Sequence, residues 1–468
     1  MQTDTFRRQI PRIVCLVALS GGMLTSSPSS AHVPESSTDR FIVYYKDAKP
    51  SFTSAPQNDL ARAGNLAGVS LRAERKIATG GYLVRVQSPQ AIGEAQARDI
   101  VRAIAAQPSV EYVEPDTVFE TPADPAIAAL LADEDLWPMQ WNMFEPVGGI
   151  GAPAAWKKAS GKGVVVAVVD SGVTRHSDLD SQQVPGYDFI SDAERAGDGD
   201  GADPDPSDEG SGGDGLPSSW HGTHTSGTVV ARNNGRGVIG VAYDARLLPV
   251  RVSGAGGISY LSDIVDGLVW AAGGRVEGIP GNSQPAHVVS MSLGGGSECG
   301  RSMQAAIDMA LANRVVVVVS AGNNNTDASG RSPANCEGVI TVAATTRLGG
   351  KASYSNFGKA ITISAPGGER TMDGILSTYN AGIQAPGEET YATSYGTSMA
   401  TPHVAGVAAL MLSANPRLTP AQVKQALIDS ARALPIACDE GCGAGIVDAS
   451  GAVDAALALI GSETAAPR

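Results

Sequence analysis

Hydrophobic positions along the chain follow two regimes. Between residues 32 and 121 they come in short segments that either alternate or recur at helical spacing. FIVYY at 41–45 and YLVRV at 82–86 are β-branched and aromatic, and predict strands. Residues 95–106 carry Ile100, Val101 and Ile104 at helical spacing, and VEYV at 110–113 alternates as a strand does. A short helix over 59–65 and a strand over 69–77 complete the order β-α-β-β-α-β. That order predicts a small ferredoxin-like α+β sandwich with one open face.

From Trp137 the pattern changes. VVVAVV at 164–169, AHVVSM at 286–291, VVVVV at 315–319 and VITVA at 339–343 are nearly unbroken apolar runs. Parallel strands covered on both faces read this way. Helical stretches over 263–272 and 302–313 lie between them, so 137–468 reads as an α/β domain with a doubly wound parallel sheet. Such sheets bind ligands beyond the carboxyl ends of their strands. The Ala-, Asp- and Pro-rich stretch within 122–136 reads as a connector.

The first 31 residues read as an export signal. Arg7, Arg8 and Arg12 precede the apolar IVCLVAL at 13–19, and Ser29-Ser30-Ala31 offers a small-x-small cleavage site. The apolar run is too short for a membrane anchor, and Arg7-Arg8 leaves the Sec and twin-arginine routes both open. The expected mature protein is therefore soluble, secreted and monomeric. A net charge of −14 argues against a nucleic-acid surface and suits cation binding. Cys15 would leave with the signal, and the remaining four cysteines suit two disulfides in an exported chain. Cys438–Cys442 closes a Gly-containing loop, which leaves Cys299–Cys336. Four-thiolate metal binding is the rival reading, and the spacing is poor for it.

Candidate chemistry gathers at the predicted strand ends. Ser398, in GTSMATPH at 396–403, stands before a chargeless apolar run at 404–412, so it opens or caps a buried helix. Pro402 is compatible with that helix's first turn. Asp170 ends the 164–169 run, where a buried carboxylate needs a hydrogen-bond partner such as a histidine. His221 opens HGTHTSG at 221–227; His221 and His224 lack the carboxylate that zinc would need, and His176, His287 and His403 read as structural. Asn323, after Ala321-Gly322, could aim an amide N–H into the cleft, although turn residues look the same.

Together VVDSG around Asp170, HGTH from His221, AGN ending at Asn323, and GTSMATPH around Ser398 resemble the four signatures of the subtilisin-like serine peptidases, in that family's order. The likeness covers about 135 to 460, and GAGIVDA at 443–449 is similar to the approach to the family's last helix. The resemblance implies a nucleophile (Ser398), a base (His221), its orienting acid (Asp170) and an oxyanion donor (Asn323). It implies a substrate-binding strand at Ser292, Leu293 and Gly294, and one pocket wall at Ser332-Pro333-Ala334. Arg331 beside that wall reads as solvent-facing, with altered specificity as the alternative. The 32–121 module resembles the family's inhibitory, fold-assisting prosegment.

Calcium enters by two routes. Asp178 and Asn234 resemble the family's strong calcium site, and Asp124 an additional N-terminal ligand of one branch. Separately, the insertion at 198–209 holds six carboxylates, with Asp198, Asp200 and Asp203 foremost. It reads as a second calcium loop, because unscreened carboxylates so close repel one another, or else as a solvated acidic loop. The sequence thus predicts a secreted, calcium-stabilised serine endopeptidase made as a zymogen, with polypeptide substrates and its own prosegment as partners. The alternatives are an inactive subtilisin fold serving as a scaffold, and an esterase or ligase on the same triad.

Overall fold

The computed structural model describes residues 38–46, 55–88, 92–121, 129–130, 136–210, 217–296, 298–369 and 373–464. The export signal, Asp124 and most of the 122–136 connector lie outside the described residues.

The N-terminal module has the predicted order. Strands Arg40–Tyr45, Ser70–Lys76, Tyr82–Gln87 and Val110–Pro115 alternate with helices Ala55–Ala67 and Glu94–Ala105. The sheet is antiparallel, with Tyr82–Gln87 and Val110–Pro115 flanking Arg40–Tyr45, and Ser70–Lys76 at one edge. Every residue of Arg40–Tyr45 is buried, because the strand serves two cores. Phe41, Val43 and Tyr45 face the module's own helices, while Ile42 and Tyr44 join the core of the larger domain. The open face of the sandwich is thus closed by the rest of the chain.

Carboxylates seal that contact. Asp116 accepts from Ser262 N at 2.8 Å, in the first turn of helix Leu261–Ala271. Glu114 accepts from Ser302 N at 3.0 Å, at the start of helix Arg301–Ala312. Each acid satisfies an orphan N–H at the positive end of a helix. Asp116 also holds Arg40 Nε at 2.8 Å, with both side chains fully buried. Beyond Pro115 the chain continues as strand Val118–Glu120. It pairs antiparallel with Ile258–Tyr260, and Glu120 bridges to Gly294 on its other side.

The larger domain is built on a seven-stranded parallel sheet. Its order is Ile363–Pro366, Ile340–Thr345, Val316–Ser320, Val288–Met291, Val165–Asp170, Arg246–Arg251, Tyr187–Asp188. The valine runs feed two separate cores, as strands covered on both faces must. Val166, Val168, Val316 and Val318 pack with helix Thr397–Ala414 on one side. Val165, Val169, Val317 and Val319 pack with helices Leu261–Ala271 and Arg301–Ala312 on the other. The Arg246–Arg251 strand has charged ends and an internal Pro249, and so escapes a hydrophobic pattern. Its Arg251 is buried against Asp188 at 2.5 Å and Asp198 at 3.0 Å. An antiparallel hairpin, Ile375–Asn380 with Glu389–Ser394, braces helix His221–Val230. Both expected disulfides are present, with Cα–Cα separations of 5.2 Å for Cys299–Cys336 and 6.0 Å for Cys438–Cys442.

Candidate active site

Three strand ends and two helix starts meet at one rim of the sheet. Asp170 is the last residue of its strand and is buried. Its Oδ1 accepts from Ser171 N at 2.8 Å, and His221 Nδ1 lies 2.8 and 2.9 Å from its two oxygens. His221 opens helix His221–Val230, and the residue before it, Trp220, is left-handed at φ 44°. That conformation costs about 1–3 kcal/mol for a non-glycine residue. It is offset by complete burial of the indole and its hydrogen bond to Gly382 O at 2.8 Å. With Nδ1 fixed on Asp170, His221 turns Nε2 the other way; it is buried and has no hydrogen-bond partner among the described residues.

Ser398 is the second residue of helix Thr397–Ala414, whose N-cap is Gly396 at φ 151°. The serine is therefore not the cap, and the glycine supplies a backbone angle that side chains disfavour. Pro402 lies beyond the first turn, inside the helix. Having no N–H, it cannot bond to the carbonyl of Ser398 four residues earlier. Ser292 Oγ takes that acceptor instead at 2.9 Å, and Ser398 Oγ donates to Ser292 O at 3.2 Å. The proline so leaves room for a reciprocal clasp that ties the serine to the next strand end.

Asn323 follows the Val316–Ser320 strand by a short turn. Its Oδ1 accepts from Thr397 N and Thr397 Oγ1, both at 2.8 Å. A backbone N–H can only donate, so the amide oxygen must face Thr397 and the NH₂ must face away. That Nδ2 is buried and without a partner among the described residues. Asn356 steadies the turn from behind, donating to Ala321 O at 2.8 Å and accepting from Asn324 N at 3.0 Å. Neither Thr397 nor Asn356 was singled out from sequence. Thr397 had an available signal, its adjacency to Ser398; Asn356 had none.

A second carboxyl sits behind Asp170. Ser171 Oγ donates to Asp208 Oδ2 at 2.7 Å and accepts from Gly222 N at 3.0 Å, and Gly210 N donates to Asp208 Oδ1 at 2.9 Å. Burial pushes the Asp208 carboxyl up to about 6, against the pull of its two donors. The acidic insertion is therefore not uniformly solvated; its far end plugs into the site.

Other histidines are held by the backbone. His224 Nε2 donates to Ile375 O at 3.0 Å, and burial lowers its pKa to about 3. His403 Nδ1 donates to Met399 O at 2.8 Å, with its pKa lowered by burial to about 4. His176 Nδ1 accepts from Asp178 N, and His287 Nδ1 from Val165 N.

Of the substrate-strand residues, Ser292 meets Ser398, Leu293 is buried, and Gly294 exchanges both backbone hydrogen bonds with Glu120 at 3.1 and 3.2 Å. Asp178 and Asn234 come together, with Asn234 Nδ2 on Asp178 Oδ1 at 2.7 Å and Tyr391 OH on Oδ2 at 2.7 Å. Carboxylate oxygens of Asp198, Asp200 and Asp203 lie within 4.8 Å of one another. The hard, convergent oxygens of these three aspartates fit a divalent cation such as Ca²⁺. At the other pair Asn234 turns its NH₂ to Asp178 and its Oδ1 accepts from Arg236 N, so a cation there requires the amide to turn. Arg331, expected in solvent, is instead part-buried, with a buried Nε.

Comparison with known proteins agrees with this geometry. The model of the subtilase family matches residues 161–445. An extracellular protease of Xanthomonas campestris pv. campestris is 48% identical over 439 residues, covering 89% of this chain and 73% of that protein. An extracellular basic protease of Dichelobacter nodosus is 40% identical, covering 91% and 71%. A solved protease structure from Pseudoalteromonas arctica superposes with a TM-score of 0.68 at 48% identity, covering 69% of this chain and 99% of that one. Fervidolysin from Fervidobacterium pennivorans, described as a keratinolytic enzyme related to subtilisin, gives 0.64 at 26% identity, over 89% and 61%. The family match across more than half the chain, the relatives and the sheet order agree: this chain belongs to the subtilase family and is a subtilisin-like serine-type endopeptidase.

Proposed function

We propose that Ser398, His221 and Asp170 form the catalytic triad of a secreted endopeptidase. Ser398 Oγ attacks the scissile carbonyl, and His221 Nε2 takes its proton and returns it to the leaving amine. Asp170 holds the imidazole tautomer and stabilises the imidazolium. Asn323 Nδ2 and the Ser398 backbone N–H hold the oxyanion. The observation that carries this reading is the pair of buried nitrogens without partners, His221 Nε2 and Asn323 Nδ2. Every other polar atom of these two side chains is pinned, and these two are the ones the chemistry needs free. Ser398 Oγ rests on Ser292 O, so attack requires a side-chain rotation toward His221.

Residues 1–31 would direct export, in keeping with relatives named as extracellular, and 32–121 would act as inhibitor and folding aid. The paired Val118–Glu120 strand supports that role, since it lies along Gly294 as an extended peptide would. The described strand ends on Glu120 opposite Gly294, so autocatalytic processing is expected close beyond it, near 120–122. The peptidase would work as a monomer on extended polypeptides. Calcium would be held by Asp178 and Asn234 and, separately, by Asp198, Asp200 and Asp203, with Asp124 as a further ligand. It would supply charge cancellation and stability, with no step of the chemistry.

Fluorophosphonate labelling of the purified protein tests the reading, with Ser398→Ala as control. The native chain should label and lose its N-terminal module, and the variant should do neither. A native protein that stays unlabelled after the module is removed would sink the peptidase mechanism.

A further inference from the structure

Arg331 occupies a place where a cleft would feel it most. Gly295 exchanges backbone hydrogen bonds with Ser332 at 2.9 and 3.1 Å, which puts the 294–296 segment between Glu120 on one edge and Ser332 on the other. The Arg331 side chain spans from this segment to the oxyanion turn. One guanidinium nitrogen lies 3.3 Å from where a Cβ on Gly296 would be, and Nε lies 3.5 Å from where one on Gly322 would be. Gly322 immediately precedes Asn323. The cation is therefore flanked by two glycines, Gly296 on one side and Gly322, next to the proposed oxyanion donor, on the other.

This guanidinium is under-satisfied. Nε is buried and has no hydrogen-bond partner among the described residues. Burial lowers its pKa, and the charge it feels in opposition is Glu120. A half-buried cation with a buried, unpaired donor is costly unless an acceptor completes it. The scaffold around it is fixed. Asn335 N donates to Arg331 O at 2.9 Å, and the next residue, Cys336, is tied to Cys299.

Register indicates which substrate residue would meet it. The residue opposite Gly294 lies two before the one opposite Ser292, whose carbonyl oxygen holds the Ser398 hydroxyl. The carbonyl under attack must sit between Ser398 Oγ and Asn323 Nδ2. The side chain of that same residue then has the Gly322 wall beside it, and Arg331 along that wall.

Resting on the peptidase reading above, we propose that Arg331 is a specificity-determining residue that selects a glutamate or aspartate side chain on the residue contributing the attacked carbonyl. The carboxylate would accept charge-assisted hydrogen bonds from the guanidinium. Charge-assisted bonds are about twice as strong as neutral ones, and Gln in place of Glu keeps the shape and loses the charge.

Internally quenched peptides differing only at that residue, offered to the mature enzyme, test this. Glu should exceed Gln in kcat/KM by about 10- to 100-fold, and the ratio should shrink as salt is added. Arg331→Ala should bring the ratio near unity, Arg331→Lys should keep part of it, and Arg331→Glu should turn the preference toward Lys. The lysine variant covers the case in which the alanine variant fails to fold. An unchanged Glu/Gln ratio in Arg331→Ala or Arg331→Lys overturns the proposal, as does an acidic preference that tracks the residue two positions upstream, where Glu120 sits. An enzyme that labels with fluorophosphonate but ignores charge refutes the role of Arg331 alone. Failure to label refutes the peptidase mechanism beneath it.

Discussion

Asp208→Asn isolates one charge and predicts a stability change with a definite pH signature. The carboxyl rises from 3.8 to about 6 on folding. The folded state therefore holds this proton more tightly than the unfolded chain does. Its contribution is most favourable below pH 4, is lost as pH rises from about 4 to about 6, and is flat above. At ~1.4 kcal/mol per pH unit, ionised Asp208 costs the native state about 3 kcal/mol at neutral pH. Asparagine removes that cost and keeps an acceptor for Gly210 N. Its NH₂ must face Ser171 Oγ, which now donates to a carboxylate oxygen at 2.7 Å, and reversing that bond costs about 1 kcal/mol. The net expectation is stabilisation of about 2 kcal/mol at pH 8 and slight destabilisation at pH 4. At ~2.1 cal/mol/K per residue, a swing of about 3 kcal/mol in a domain of this size shifts relative Tm by about 4 °C. Thermal melts from pH 4 to 8, with both chains carrying Ser398→Ala to prevent self-digestion, read it directly. A Tm difference that does not vary with pH, or that narrows as pH rises, would refute the assignment of a strained anion at this position.

Two further outcomes are expected. Asn323→Leu removes the Nδ2 donor while roughly keeping side-chain volume. It should lower kcat by about 10²–10³ with KM changed little, as steady-state kinetics on one peptide substrate would record; an equal loss carried wholly by KM would contradict the oxyanion role. Excess EDTA should lower Tm by several degrees, since a cation at 100 times its Kd contributes about 2.7 kcal/mol. The drop should shrink in a chain carrying both Asp200→Asn and Asp203→Asn if the acidic loop is one of the sites.

The elements legible in sequence were those whose burial is periodic. The β-α-β-β-α-β module and the runs at 164–169, 286–291, 315–319 and 339–343 lie within a few residues of where the chain forms them. Arg246–Arg251 was not legible, because a buried arginine and an internal proline break the apolar signal. Val118–Glu120 was not legible either, since three residues carry no period and its pairing partners lie about 140 and 175 residues away in the chain.

Sequence alone determined which residues could do chemistry and on which kind of element each sits. A carboxylate ending an apolar run, a histidine opening a helix and a serine before a chargeless stretch are local facts, and local steric and solvation preferences suffice to place them. Only the tertiary structure decided how each side chain is aimed. Thr397 fixes the Asn323 amide, Pro402 leaves the Ser398 carbonyl to Ser292, and Asp208 enters from the acidic insertion to stand behind Asp170. The same holds for Arg331, which is charged and adjacent to a turn and so reads as solvent-exposed. It is part-buried because segments 294–296 and 320–323, brought together by the parallel pairing of Val288–Met291 with Val316–Ser320, close around it. Burial is a property of the neighbours that long-range pairing supplies, and no local pattern encodes it.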